Sequence, residues 1–471
     1  MLHVSTRGEA PAIGFADALL TGLARDGGLY VPEAWPALSR GTIQGFAGRP
    51  YADVAKAVLA PLVGDDIPAD DLARMVDEAY ASFRHPAVAP LVQLDDNLFA
   101  LELFHGPTLA FKDVAMQLLG RLMDHVLKAR GGRATIVGAT SGDTGSAAVE
   151  AFRGLDQVDI FILFPHGRVS EVQRRQMTTV AAPNVHAIAV EGTFDDCQNA
   201  LKAMFNNPRL RDDLRLSGVN SINWARVAAQ VVYYFTAAVA LGGPHRPVSF
   251  AVPTGNFGDI LAGFVAKRMG LPVERLMVGT NANDILARAL GTGAYELQGV
   301  QATTSPSMDI QISSNFERLL FEAHRRDAAA TRRLMAGLAQ ARAFTIEAEP
   351  LRRIRAEFDA LAVPEPAVAD EMKATHARTG YVLDPHSAIG TRAARALLRE
   401  RPEVPAVALA TAHPAKFPDA VERATGLRPA LPPHLASLMA GEERFAVLPN
   451  DAALLERFIR ERARAVRGVA A

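Results

Sequence analysis

ATIVGATSGDTGSAAVEAFRGLDQVDIFILFP, residues 134 to 165, is the stretch that decides the fold. Ala134 to Thr140 is an apolar run of strand length, and a glycine-rich loop follows it. SAAVEAF then opens a helix, and Asp159 to Pro165 is a second, continuously apolar strand. A strand apolar along its whole length is covered on both faces, and a helix between two such strands is the crossover of a parallel sheet. The alternation continues downstream. VHAIAVEG (Val185 to Gly192) reads as a strand and Asp196 to Phe205 as a helix. After Ser217 to Arg226 comes a long apolar helix, about Val227 to Leu241. VSFAVP (Val248 to Pro253) is a strand, DILAGFVAKRMG a helix stopped at Gly270, and RLMVGTN a strand. Near the end AVALAT (Ala406 to Thr411) is a strand and FPDAVERA a helix. The expectation is an α/β protein with two parallel-rich sheets flanked by helices, one sheet before and one after the long apolar helix.

Working outward, Met1 to about Phe83 reads as mostly helical, with Leu72, Met75, Val76, Ala79 and Phe83 at helical spacing. PLVQL and LFALELF, separated by Asp95-Asp96-Asn97, read as a hairpin. The proline-rich joint Pro429 to Pro433 precedes a packing helix over Asp451 to Arg467, with Leu454, Leu455, Phe458 and Ile459 on one face. The resulting division is an N-terminal mainly helical region (1–90), a large α/β domain (91–132 and 230–435), a small α/β domain (133–229) and a C-terminal helical tail (436–471).

Composition narrows the function. The 471 residues carry a formal net charge of −1, with basic residues scattered, so there is no field for nucleic acid or an anionic membrane. One cysteine, Cys197, excludes an intramolecular disulfide and fits a reducing compartment. MLHVSTRGEAP has no signal-peptide layout. The most apolar run, VAAQVVYYFTAAVALGG, is shorter than a membrane span and contains Gln230. A cytoplasmic protein is expected. His376 and His386 are isolated, so no metal site is expected, and there is no Gly-x-Ser-x-Gly elbow.

The chemistry centres on HGPTLAFKD, His105 to Asp113, between the strand LFALELF and the apolar helical run VAMQLLGRLMDHVL. Lysine is rare here, seven against forty-three arginines, which sets Lys112 apart. A lysine in apolar surroundings loses its proton more easily and can link covalently to a carbonyl cofactor; the alternative is a snorkelling lysine at a helix start. Two strand–loop–helix junctions, Thr140 to Ser146 (TSGDTGS) and Thr254 to Asp259 (TGNFGD), put hydroxyls and backbone N–H groups at helix N-termini, where an anion is favoured. Neither is a dinucleotide fingerprint or a P-loop. Each alone is equally a capped tight turn; together with the lysine they favour a phosphorylated cofactor and an amino-acid carboxylate. Thr411 to Phe417 (TAHPAKF) lies at another strand's C-terminal end, where ligands of open sheets sit. Asn220 to Arg226 (NSINWAR) sets an arginine just before a buried helix, which calls for an anionic partner, whether a ligand or a structural carboxylate.

Taken in order, STRG (Ser5 to Gly8), GLARDGGLYVP (Gly22 to Pro32), HGPTLAFKD, SGDTGSAA, NSINWARV, PTGNFGD, SPSMDIQISSNFERLLF (from Ser305) and TAHPAKFP resemble the blocks of the threonine synthases in their longer microbial and fungal form. These belong to the tryptophan-synthase-β-like, fold type II pyridoxal-phosphate enzymes, and the resemblance covers nearly the whole chain. It implies pyridoxal 5'-phosphate as cofactor, the small molecule O-phospho-L-homoserine as substrate, and a monomer or weak dimer. Lys112 would carry the cofactor and move protons. Gly255, Asn256, Phe257, Gly258 and Asp259 would hold the cofactor phosphate, and Thr411 would face the pyridine nitrogen. Thr140, Ser141, Asp143 and Thr144 would take the substrate carboxylate. Ser221 and Arg226, with Thr144 again, would take the substrate phosphate, with Asn223 and Lys416 as further candidates. The competing readings are a phospholyase or dehydratase of the same fold acting on O-phosphothreonine or a hydroxyamino acid, and a non-catalytic protein that binds the cofactor.

Overall fold

The computed structural model describes residues 1–467, which pack as two units. The first comprises Met1–Ala18, Leu23–Phe111 and Ser221–Ala430. The second comprises Leu19–Gly22, Lys112–Asn220 and the described residues from Leu431 on.

The first unit is built on a six-stranded sheet. From edge to edge it runs Phe358–Ala362, Val273–Thr280, Val248–Pro253, Ala406–Ala410, Leu98–Glu102, Leu91–Asp95. Neighbours are parallel except the final hairpin, which turns at Asn97 with φ +54. Val248–Pro253 and Ala406–Ala410 are buried at every residue, as their unbroken apolar sequences require. The helix Pro385–Glu400 lies against the sheet so closely that a Cβ at Gly390 would stand 3.0 Å from Pro253 Cδ. The helix Gly258–Arg268 meets the buried helix Trp224–Ala240, where a Cβ at Gly263 would stand 2.7 Å from a Tyr234 ring carbon. Glycine is the residue that allows both approaches.

The N-terminal part of this unit departs from the mostly helical expectation. It opens with a three-stranded antiparallel sheet in which Leu2–Ser5 pairs with Ile13–Gly14 and Tyr30–Pro32. The helices Tyr51–Val63 and Ala69–Tyr80 follow. The STRG block anchors this sheet: Thr6 Oγ1 donates to Glu317 Oε1 at 2.6 Å and Arg7 forms an ion pair with Glu317 at 2.9 Å.

The second unit has a fully parallel five-stranded sheet, ordered Ala446–Pro449, Val185–Glu191, Val158–Pro165, Ala134–Ala139, Leu216–Ser217. Val158–Pro165 is buried throughout and forms its middle. The helix Lys112–Ala129 packs on Asp143–Phe152, where a Cβ at Gly120 would come 2.5 Å from Ala151 O. This contact assigns residues 112–132 to the small unit, a correction to the sequence division that gave them to the large one. The tail is also not a separate region. Its strand Ala446–Pro449 extends the sheet, and Leu455 and Ile459 of the helix Ala452–Arg462 complete the core of Phe161, Leu163, Ile188 and Val190. The expected terminal helix breaks at Ala463. There Asp159 accepts from the Arg464 amide (2.7 Å) and guanidinium (2.6 Å). Cys197 lies in this core, and burial pushes its thiol up to about 11.

Among the described residues, no helix is long and apolar enough to cross a membrane, and no group of three or more His, Cys, Asp or Glu is gathered as a metal site.

Candidate active site

In the second unit Lys112 and the glycine-rich loop Thr140 to Ser146 adjoin. Lys112 is the first residue of its helix and is 8% exposed. Its Nζ lies 3.5 Å from Oδ2 of Asp143, the first residue of the helix Asp143–Phe152. Oδ1 of Asp143 accepts from Gln173 Nε2 at 2.9 Å. Gln173 fits there because Gly142, at φ +142, has no Cβ; one would stand 2.3 Å from the Gln173 amide carbon. Thr140 Oγ1 accepts from the amides of Gly142 and Gly145, both at 2.9 Å, which fixes the turn. The amides of Ser141 and Thr144 have no acceptor among the described residues, and both residues are partly open to solvent. Two donors at a helix N-terminus beside two hydroxyls suit a carboxylate.

In the first unit the loop Gly255 to Gly258 precedes the helix Gly258–Arg268. Phe257 sits at φ +62, an uncommon conformation for a bulky residue, with its ring buried against Phe316 and Phe358. That burial holds the strained turn in place. The amides of Gly255, Asn256, Phe257 and Gly258 have no acceptor among the described residues. Their carbonyls are tied down: Ser313 Oγ donates to Gly255 O at 2.6 Å, and Asn315 donates to Asn256 O through its amide (3.1 Å) and its side chain (3.0 Å). Four consecutive donors held open by their neighbours fit a phosphate group. Asp259 differs from the expectation that it holds the phosphate. Its Oδ1 accepts from both Tyr233 and Tyr234, and burial pushes its pKa up to about 7. The carboxyl braces the helix start, and a second negative charge there would repel a phosphate.

NSINWAR caps the buried helix of the same unit. Asn223 Oδ1 accepts from Ala225 N at 3.1 Å, so this fully buried side chain is a helix N-cap. Arg226 is 3% exposed, and burial pulls its pKa down to about 10. It remains a cation, held in a place that costs it hydration. Ser221 is partly exposed, and its carbonyl accepts from Asn315 Nδ2 at 3.1 Å. Asn315 thus grips both the NSINWAR segment and the phosphate loop. Arg318, fully buried, in turn bonds Asn315 Oδ1 and donates to Ile222 O at 2.7 Å. The block SPSMDIQISSNFERLLF contained these residues, but an Asn in a polar loop gives no sign of its two partners.

Thr411 follows the strand Ala406–Ala410. Its amide donates to Ser387 Oγ at 3.1 Å and its carbonyl accepts from Phe111 N at 2.8 Å. Lys416 is fully buried, with Nζ donating to Thr108 O at 2.7 Å. It secures the HGPTLAF loop.

The chain matches the family described as "Threonine synthase N terminus" over residues 2–80, "Pyridoxal-phosphate dependent enzyme" over 83–411 and "Threonine synthase, C-terminal" over 387–459. It is 53% identical over 460 residues to a threonine synthase of Pseudomonas aeruginosa, covering 98% of each chain. The crystal structure of pyridoxal-phosphate-bound threonine synthase from Brucella melitensis is 62% identical, with a TM-score of 0.96 over 98% of this chain and 100% of that one. Yeast threonine synthase is 38% identical, with a TM-score of 0.92 over 98% of both chains.

Proposed function

The chain belongs to the threonine synthase family of pyridoxal-phosphate-dependent enzymes, and from that premise we propose that it converts O-phospho-L-homoserine and water to L-threonine and phosphate. The observation that carries the reading is the row of four backbone donors at Gly255 to Gly258, with no acceptor of their own among the described residues.

Those amides would hold the cofactor phosphate, and the Thr411 hydroxyl would face the ring nitrogen. Lys112 is the attachment point. When bound, pyridoxal phosphate supplies an electron sink for charge that develops at the substrate's Cα. The amides of Ser141 and Thr144, with the hydroxyls of Thr140, Ser141 and Thr144, hold the substrate carboxylate. Asp143 orients the Lys112 amine. The Lys112 amine would take the proton from Cα, release it, and then take one from Cβ. Arg226 and Ser221 hold the phosphate ester, and Arg226 stabilises the charge on its oxygen as the bond to Cγ breaks. Water gives its hydroxyl to Cβ and its proton to the departing phosphate, and the two protons taken from Cα and Cβ end on Cγ and Cα. The balance is one phosphate released per threonine formed.

The test is phosphate release from O-phospho-L-homoserine by the purified protein, with the product's stereochemistry determined. L-threonine in equal amount supports the reading. A keto acid, or release from O-phosphothreonine alone, would identify a phospholyase, and bound cofactor without turnover would identify a binding protein.

A further inference from the structure

Asp384 is fully buried at the N-cap of the helix Pro385–Glu400, and both of its carboxylate oxygens are engaged. Oδ1 accepts from the amide of Ser387 at 3.0 Å and from its hydroxyl. Oδ2 accepts from the amide of His386 at 3.0 Å and from its Nδ1 at 2.7 Å. An N-cap needs one carboxyl oxygen and the backbone amides. Here two side chains are oriented as well.

Each of them passes the orientation on. Ser387 gives its one hydroxyl proton to Asp384, so its lone pairs are left for the amide of Thr411, 3.1 Å away. The amide of Ser307 donates to His386 Nε2 at 3.4 Å, which makes Nε2 the acceptor of the ring and leaves Nδ1 to donate to Asp384. Ser307 backs the phosphate loop: its carbonyl lies 3.1 Å from where a Cβ on Gly255 would stand, and Met308 Cα lies 3.3 Å from the same point. One carboxylate thus reaches Thr411 along one arm and the Gly255 loop along the other.

We infer that Asp384 is a positioning residue that keeps Thr411 and the Gly255 to Gly258 loop in register, so that a cofactor held by its phosphate presents its ring nitrogen at the height of the Thr411 hydroxyl. This rests on the proposed cofactor site. Asp384 touches no reacting atom; it acts through Ser387 and His386. A misplacement of a few tenths of an ångström at either end tilts the ring, which is why a buried, doubly occupied carboxylate is stationed between the two.

The experiment separates the arms in the holoenzyme. Ser387→Ala cuts the Thr411 arm, His386→Phe cuts the Ser307 arm while keeping an aromatic ring, and Asp384→Asn disturbs both. The readouts are the absorption maximum of the bound cofactor and its dissociation constant for added pyridoxal phosphate. Ser387→Ala is expected to shift the absorption maximum and leave the dissociation constant near wild type. His386→Phe is expected to raise the dissociation constant about tenfold, the worth of one hydrogen bond, with the absorption unchanged. Asp384→Asn is expected to show both effects; if it does not fold, the single-arm variants decide. Wild-type absorption and affinity in both of them, with only a lower melting temperature, would reduce Asp384 to a helix cap and overturn the inference. Identical changes in both readouts for the two single-arm variants would overturn it equally. Failure of the functional reading shows up separately, as a wild-type protein that binds cofactor and releases no phosphate.

Discussion

Lys112 Nζ lies 3.5 Å from Asp143 Oδ2, and each residue is the first of a helix that packs against the other's. The pair therefore has its geometry set by helix packing. Other lysines are placed differently: Lys416 is fully buried on Thr108 O, and Lys267 forms an ion pair with Glu357 at 3.4 Å. Borohydride reduction of the cofactor-loaded protein followed by peptide mapping is expected to mark Lys112 alone. A mark on Lys416 or Lys267, or none, would sink the assignment.

Arg226 is nearly inaccessible and lies in the segment that Asn315 ties to the phosphate loop. Arg226→Ala is expected to retain the cofactor spectrum and lose most activity. Removing a charge-assisted contact to a buried anion costs roughly 2–5 kcal/mol. Inorganic phosphate is expected to inhibit the wild type competitively and to lose that effect on the variant. Loss of cofactor or of folding in Arg226→Ala would instead mark a structural arginine.

Asn315 is an amide for a specific reason. Its Nδ2 donates to Ser221 O and Asn256 O while its Oδ1 accepts from Arg318. Asn315→Asp keeps the acceptor and deletes both donations. Cofactor affinity is expected to fall about tenfold, the worth of roughly one hydrogen bond, because the Asn256 carbonyl keeps only the backbone bond from Asn315 N. Equilibrium dialysis measures this, and an unchanged affinity would show that the backbone bond from Asn315 suffices.

Burial raises the Asp259 pKa from an ordinary 3.8 to about 7 in the folded protein. The folded state then holds this proton more tightly than the unfolded state. The group's contribution to stability is full below its unfolded pKa and is lost as pH rises through the interval up to about 7. Asp259→Asn cannot titrate and keeps an acceptor for Tyr233 and Tyr234. The urea midpoint of the wild type is expected to fall relative to the variant's between about pH 4 and about pH 8. Parallel profiles would mean that Asp259 stays ionised when folded.

How much of this was legible in the sequence depended on where the information lay. Val158–Pro165 and Val248–Pro253 are buried on both faces, so their apolar runs announced a covered parallel sheet. The edge strand Phe358–Ala362 reads FDALA, weak in β-forming residues, and takes its shape from pairing with Val273–Thr280. Ala446–Pro449 is likewise a strand only because Val185–Glu191 offers it an edge. At the site, the loops stood out because glycine and hydroxyl residues cluster in sequence. The supports did not. Asn315 meets Ser221 across 94 residues of chain, and Ser387 meets Thr411 across 24. Residue type likewise gave no sign that Asn223 caps a helix or that Lys416 holds the Thr108 carbonyl.

Thr411 offers the sharpest test of how the cofactor is used. Its backbone is fixed at both ends, the amide to Ser387 Oγ and the carbonyl to Phe111 N, so the side chain's position is set and only its chemistry varies. A hydroxyl is a neutral partner for a pyridine nitrogen, and a neutral ring is a weaker electron sink than a protonated one. Charge then stays nearer Cα, while the reaction still demands proton removal at Cβ. Thr411→Asp puts a carboxylate at the nitrogen and favours the protonated ring by opposite-charge attraction. The expected result is a changed absorption spectrum, slower threonine formation and a larger share of keto acid from off-path chemistry. Thr411→Ser keeps the hydroxyl and is expected to be nearly silent in all three. The comparison is informative because Thr411 is 5% exposed: a carboxylate there has little water to solvate it and must find the ring nitrogen or shift its own protonation. An unchanged spectrum and product ratio in Thr411→Asp would show that Thr411 does not contact the nitrogen and that the TAHPAKF loop lies elsewhere.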